Sequence, residues 1–502
     1  MSDSIYEPAE MNTRHWISSL LILFFIMTSI LGCHRNNKKV ITPSLRLAYK
    51  IRLGDVSFYA RAGHYTDAFV KFSPDGRYLA VGTFLGKIIL VNAHSGHLLW
   101  DRTVPEAMVK KIAFSRDSKT IYYGEQGPDG NIYAADTKTG RLRWQFSMSK
   151  SLKRGIPASK GDIYGIYQEP GCYRIKVLKD GNILVLGIHS WADRKAGCWQ
   201  RLSRIWLLTP GGRVIWKWPE KQPIRFSLVY ADSDPTGRYI VAVATLPSDR
   251  LPPHYPYKPG TVYILDGKSG KEISSYTIPP LTPYYHSVSI WESVAVDPKD
   301  KFAVVGTSDG RGYIFRLPGL VPVKILDLGT PVMVGDLPVA ATCTYVHVTS
   351  NTIFFQTGRS SIPYGMPLQA NQPAGPHPNA ETIFAVSPGG KILWRFHAAF
   401  RFQGFASDPE GRILATVAGA SGMGRRTRGN QFGLFVFDLK RHGGGMKKLL
   451  GYYPSVAPLF FHLAVSPDAH LIAICETPYL NRKGELTGSY EINVIKIYRH
   501  KD

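Results

Sequence analysis

A short phrase recurs along this chain: an apolar run, a turn of the type Ser/Asp-Pro-x-Gly, and a second apolar run. It is clearest as FSPDGRYLAVGT from Phe72 and returns as FSRDSKTIYYG from Phe114, DSDPTGRYIVAVAT from Asp232 and VDPKDKFAVVGT from Val296. Further copies are SDPEGRILATVAG from Ser407 and VSPDAHLIAICET from Val465, with weaker ones from Val177 (VLKDGNILVLG) and Val348 (VTSNTIFFQTG). Pro presets φ, Asp bonds its own backbone and Gly supplies positive φ, so the phrase encodes a strand, a tight turn and a strand. A unit of this size cannot bury its apolar surface alone. Eight copies at intervals of roughly 40 to 65 residues must therefore stack on one another.

Each phrase is followed by a second hairpin, so a unit holds four strands. In the first they are 68–73, 78–83, 87–92 and 98–102. The expected fold is all-β, a β-propeller of eight four-stranded blades, or seven if the third or sixth unit is irregular. The last unit has only three strands before the chain ends, while Leu45, Leu47, Tyr49, Ile51 and Leu53 alternate with polar or small residues as a half-buried strand does. The expectation is that this N-terminal strand completes the last blade and closes the ring, making 45–502 one domain. With 44% hydrophobic residues, 48 Gly and 35 Pro, the composition excludes disorder and coiled coil and suits short strands joined by turns.

In four units the second hairpin closes on a Gly with Trp four residues later: Gly96/Trp100, Gly140/Trp144, Gly212/Trp216 and Gly390/Trp394. The run AADTKTGRLRW ending at Trp144 resembles the tryptophan-docking motif of quinoprotein-like propellers, and the FSPDG phrases resemble WD40-type blades. That resemblance assigns the four Trp a structural part, wedged against the neighbouring blade. It also evokes quinoprotein dehydrogenases, which need a Ca²⁺ site and an Asp base and often a vicinal disulfide. No Cys-Cys pair occurs here, and only some units keep the motif. The resemblance therefore implies no cofactor, and the chain has no HExxH, GxSxG or P-loop and no metal-ligand spacing among its 15 His. No catalytic residue is assigned. A channel site assembled from single residues of different blades, such as Asp232, Glu292 or His347, would escape sequence reading.

Trp16 to Gly32 is an apolar, uncharged run preceded by Arg14 and His15 and followed by Cys33, the grammar of an export signal. Gly32-Cys33 resembles a bacterial lipobox, which implies that residues 1–32 (starting at Met1 or Met11) are removed and Cys33 is lipidated, with 33–44 as a basic tether. As an uncleaved helix the 17-residue run would reach about 25 Å, short of the ~30 Å hydrocarbon core, so a transmembrane anchor is the second choice. His34 rather than Asp after the cysteine favours, by resemblance to enterobacterial lipoproteins, the outer over the inner membrane. The chain would then face the periplasm of a bacterial envelope. Its net charge of +24, or +26 without residues 1–32, attracts polyanions. Export makes nucleic acid an unsuitable partner and leaves anionic glycan, anionic lipid or acidic proteins.

In a propeller the turn between first and second strands and that between third and fourth share one face. The other two connections of each unit share the opposite face, and the long insertions fall there: 147–171, 246–260, 279–289, 358–380, 419–430 and 478–490. They carry His254, Tyr255, Tyr257, Tyr284, Tyr285, Tyr364, Arg425, Arg426, Arg428, Tyr479 and Arg482, residue types suited to binding, and form the candidate binding face. Cys172 and Cys198, both placed on that side of the third unit, are candidates for a disulfide in an oxidising compartment. Cys343 and Cys475 read as buried thiols.

Three functions fit these features. The first is a non-catalytic, lipid-anchored scaffold docking envelope proteins through its loop-rich face, as the resemblance to propeller lipoproteins of outer-membrane assembly implies. The second is a quinoprotein-like dehydrogenase or glycan lyase with carboxylates at the channel mouth. The third is a receptor or carrier for an anionic glycan or lipid, which predicts convergent Arg and Lys.

Overall fold

A computed structural model describes residues 44–498 apart from 65, 158–164, 229, 292, 364–373, 399, 420–431, 461 and 482. The export segment, Cys33 and the tether up to 43 lie outside the described residues.

The chain is an all-β propeller. Among the described residues the strands fall into eight successive four-strand antiparallel meanders. Sheet 1 is Ala68–Phe72, Tyr78–Thr83, Lys87–Asn92 and Leu98–Thr103, close to the strands expected from its repeat. Sheets 2 to 7 occupy 108–147, 171–218, 230–277, 294–327, 337–397 and 402–455. Three irregularities depart from the simple plan: Gly171 of sheet 3 pairs with Gln126 of sheet 2, a short strand, Val332–Val334, precedes sheet 6, and Tyr479–Leu480 pairs with Leu486–Thr487 as a separate hairpin.

Sheet 8 consists of Ala464–Val465, Leu471–Glu476 and Glu491–Ile497, with Leu45–Arg52 as its outermost strand. Leu45 stands opposite Ile497 and Arg52 opposite Glu491. The expected alternation is interrupted by an irregularity between Leu47 and Tyr49, which leaves Leu47 exposed.

The middle strands are almost wholly apolar because both their faces are covered. In sheet 1, Leu79, Val81, Ile89 and Val91 point into a core shared with sheet 8, whereas Ala80, Ile88 and Leu90 point into one shared with sheet 2. The period-2 geometry of a strand sends alternate residues into alternate seams. Each successive pair of sheets encloses such a core, from sheets 2 and 3 through sheets 7 and 8. Fully burying one Leu or Ile contributes roughly 1.5–3 kcal/mol, so the seams hold the molecule together. The first strand of each sheet neighbours that of the next, and that of sheet 8 neighbours that of sheet 1, so these strands run round a common axis.

Candidate functional site

The two faces differ in construction. On one, the turns are short and bond to themselves: Ser73 Oγ donates to Asp75 Oδ1 at 2.6 Å, and the Asp136 carboxylate accepts from the Thr139 amide at 2.9 Å. On the other, long connections carry exposed apolar side chains in six separate segments. These are Phe58, Ile156, Trp199, Trp291, Met333 and Val456, of which Ile156 is 87% and Val456 68% exposed. The turn face shows Met446 and Tyr498 in its turns, and Leu98, Val214, Val321 and Ile392 are exposed where outermost strands leave it. Leu45, the start of the N-terminal strand, lies on the turn face, because that strand ends where the chain crosses the loop face to sheet 1.

Of the six described residues expected to form the binding face, four pack inward. Tyr255 stacks on Phe226 and its hydroxyl accepts the Arg225 amide at 2.6 Å; Tyr257 packs edge-on against Trp218. Tyr285 is buried, and Tyr479 is buried against Phe432. Burial raises the phenol pKa of each of Tyr255, Tyr257 and Tyr479. Long connections use their own aromatics as anchors, since burying a ring offsets the entropy of ordering the loop. His254 is exposed and Tyr284 half-buried, while Tyr364, Arg425, Arg426, Arg428 and Arg482 lie outside the described residues. Sequence reading named Tyr255, Tyr257, Tyr285 and Tyr479 on this face and missed the exposed Phe58, Ile156, Trp199, Trp291, Met333 and Val456. Lone exposed apolar residues in separate loops form no pattern until the fold collects them.

The disulfide expected between Cys172 and Cys198 is not formed; both thiols are free and buried. Cys172 stands opposite Gly187 and Cys198 opposite Asp193 along the long strand Ile183–Asp193. That places them about 20 Å apart at ~3.3 Å per residue, several times what a disulfide spans. Burial pushes the Cys172 thiol up to about 12. The chain leading to Cys198 is an extension of the hairpin formed by Ile183–Asp193 and Cys198–Leu208.

Trp100, Trp144 and Trp216 each reach the next sheet. Their indole N–H groups donate to Thr137 O at 2.8 Å, Pro210 O at 2.8 Å and Gly267 O at 2.9 Å. Each ring lies on a turn glycine of that sheet, Gly140, Gly212 and Gly270 respectively. Tyr49, from the strand completing sheet 8, repeats the device on sheet 1, donating to Ala93 O at 2.6 Å with its ring on Gly96. Trp394 differs: it stacks on Phe437 at 5.8 Å, since the turn it faces is the longer one containing a helical segment, Gly445–Lys448.

The axis is basic. Lys71 of sheet 1, Lys110 and Lys111 of sheet 2, and Arg174 and Lys176 of sheet 3 come from three consecutive first strands. Asp232, in the first strand of sheet 4, accepts Arg174 at 2.5 Å and Lys176 at 2.9 Å. Burial alone would raise its pKa, but Lys176 and Arg174 outweigh that and hold it at about 2. Lys110 bonds Gln126 at 2.7 Å and sits 3.5 Å above the Tyr173 ring, and Lys111 lies over Phe69. Asp67 shows the opposite balance: burial lifts it to about 6 against the pull of Lys110 and Lys111. His347, 2.8 Å from Ser407 Oγ, is lowered to about 4 by burial, which Asp232 opposes. Glu292 lies outside the described residues. Among those described, no group of three His, Cys, Asp or Glu could hold a metal ion, and no helix is long and apolar enough to cross a membrane. The axis thus presents fixed cations where an acid–base site would gather carboxylates.

A family model described as outer membrane protein assembly factor BamB matches residues 60–172. No curated protein matches the chain. Among solved structures, the C-terminal WD40 domain of Sif2 aligns with a TM-score of 0.53 at 13% identity, covering 91% of this chain and 99% of that one. The β-propeller domain of Cps50 (Swd1) from Myceliophteria thermophila aligns with a TM-score of 0.44 at 11% identity, covering 90% and 100%. The structural likeness shows a β-propeller fold, and residues 60–172 are similar to the repeats of the BamB family model.

Proposed function

We propose that this propeller is a lipid-anchored scaffold of the bacterial envelope that docks other envelope proteins through its loop face. The observation that carries the reading is the exposure of Phe58, Ile156, Trp199, Trp291, Met333 and Val456 in six connections of one face. Exposed apolar side chains rimmed by polar loops mark interaction surfaces, and rigid aromatic anchors dominate their energetics. The match of residues 60–172 to an outer-membrane assembly factor supports an envelope setting. The polarity of the chain supports the arrangement: a lipid at Cys33 followed by a short tether would hold the turn face toward the membrane and leave the loop face toward partners.

Photo-crosslinking residues placed at Trp199, Trp291 and, as control, Met446 test the reading in intact envelopes. The expected result is one set of envelope proteins captured at both loop-face positions and missing at Met446. Equal capture from both faces, or none from the loop face, overturns it.

A further inference from the structure

We propose that the propeller axis holds an anion-binding site built from Lys71, Arg174 and Lys176, with Lys111 at its rim, and that the group it takes is a phosphate. This goes beyond the docking reading and does not depend on it.

The argument begins with an imbalance. Among the described residues, five cations from three consecutive inner strands, Lys71, Lys110, Lys111, Arg174 and Lys176, face two carboxylates, Asp67 and Asp232. Asp232 is already shared by Arg174 and Lys176, and Lys176 also donates to Ser233 O. Among the described residues Lys71 has no carboxylate partner. It feels Arg174 and Lys176, two sheets away, as repulsive neighbours, and its pKa is lowered by burial and by both of them. Its side chain is nevertheless exposed to water, so it lies in a wet space enclosed by protein. Arg174 Nε adds a buried donor with no hydrogen-bond acceptor.

A structural ion-pair network would match its charges, because gathering like charges in a low-dielectric enclosure opposes folding unless an opposite charge is supplied. Here the carboxylate is saturated and the cations exceed it, which leaves the shortfall to a ligand. A guanidinium and ammonium groups contributed by strands around one axis suit a tetrahedral oxyanion with several acceptor oxygens and more than one negative charge. A phosphate meets both demands, whereas a single carboxylate brings two oxygens and one negative charge. The seams are filled by apolar side chains, so the axis, open to water at Lys71, is the route by which such a group enters.

The test compares the mature protein with Lys71→Gln and Arg174→Gln variants. Thermal unfolding and calorimetric titration are run with inorganic phosphate, glycerol phosphate and phosphatidic acid vesicles, against sodium chloride of equal ionic strength. Phosphate is expected to raise the midpoint beyond the chloride control, and its affinity to fall at least tenfold in each variant. Without phosphate, Lys71→Gln is expected to melt at or above the parent, since it removes a repelled charge; a folded variant thus keeps the comparison valid if Arg174→Gln fails to fold. Response to vesicles identifies the source as a lipid headgroup, and response to the soluble ions alone identifies a soluble phosphate; both support the site. No phosphate effect beyond chloride, or an effect unchanged in Lys71→Gln, overturns it.

Discussion

The seams of the first half of the propeller and those of the second solve one problem in different ways. From sheet 8 to sheet 4, Tyr49, Trp100, Trp144 and Trp216 each lay a ring on a turn glycine of the next sheet and donate one hydrogen bond to its backbone. From sheet 4 onward the device thins. Ser274 keeps the hydrogen bond, to Pro318 O at 2.7 Å, without a ring. Lys324 keeps the cover, its stem lying on Gly390, without the aromatic. The hydrophobic cores are present in both halves, so burial makes the propeller, while the latch fixes how tightly adjacent sheets are registered. The family-model match, 60–172, falls within the latched half.

The comparison can be broken most directly at its first latch. Deleting the strand Leu45–Arg52 removes Tyr49 and leaves Glu491–Ile497 as a bare edge; the expected outcome is loss of the cooperative transition and aggregation, read by thermal circular dichroism and light scattering. A shortened chain with a single sharp transition would show that the other seams suffice. Next, Trp216→Ala is expected to cost about 3–5 kcal/mol in chemical denaturation. Lys324→Ala, its counterpart in the other half, should cost under ~1 kcal/mol. Equal losses would erase the distinction between the halves.

Gly140 sharpens the comparison. It has φ of 69°, and a Cβ there would stand 2.9 Å from the Trp100 ring. Gly140→Ala is expected to destabilise by about 2–3 kcal/mol. At Gly390 the neighbour is the flexible stem of Lys324, which can move aside, so Gly390→Ala should cost about 1 kcal/mol, the backbone penalty alone.

A further effect is one of pH and belongs to the second half. His347 bridges sheets 6 and 7 through Ser407, and its folded pKa of about 4 lies below the ordinary 6.5. The unfolded chain therefore binds the proton first, and the stability contributed by the neutral imidazole is lost as pH falls from about 6.5 to about 4. Allowing for its partial exposure, the loss is about 2 kcal/mol or less. His347→Gln should flatten that part of the stability-versus-pH curve, and an unchanged slope would assign it to other groups.

The fold was legible because its rules are local. A Pro-x-Gly turn between apolar runs dictates a hairpin wherever it occurs, and the bounds of sheet 1 follow from reading it. The Gly/Trp spacing identified the latch residues but not their pairing. Trp100 belongs with Gly140 of the next hairpin rather than with Gly96 of its own, since its strand is the outermost of its sheet and its ring crosses to the next one. Other features depend on direction, which composition does not carry. Tyr255 and Tyr479 have the chemistry of a binding face and the position of one, yet point inward. Lys71, Arg174 and Lys176 look like the polar half of ordinary alternating strands until strands far apart in sequence meet at one axis.

The N-terminal strand has a consequence for the order of assembly. Lys50 and Glu491, joined in sheet 8, are separated by 441 residues. At ~5–20 residues per second, roughly 20–90 s pass between the synthesis of one partner and the other. Throughout that time Leu45–Arg52 has no strand to pair with, and sheet 1 has no neighbour on one side. The latch that Tyr49 supplies is thus the earliest made and the last engaged, and the nascent chain carries an unpaired edge that must be shielded until its final residues emerge.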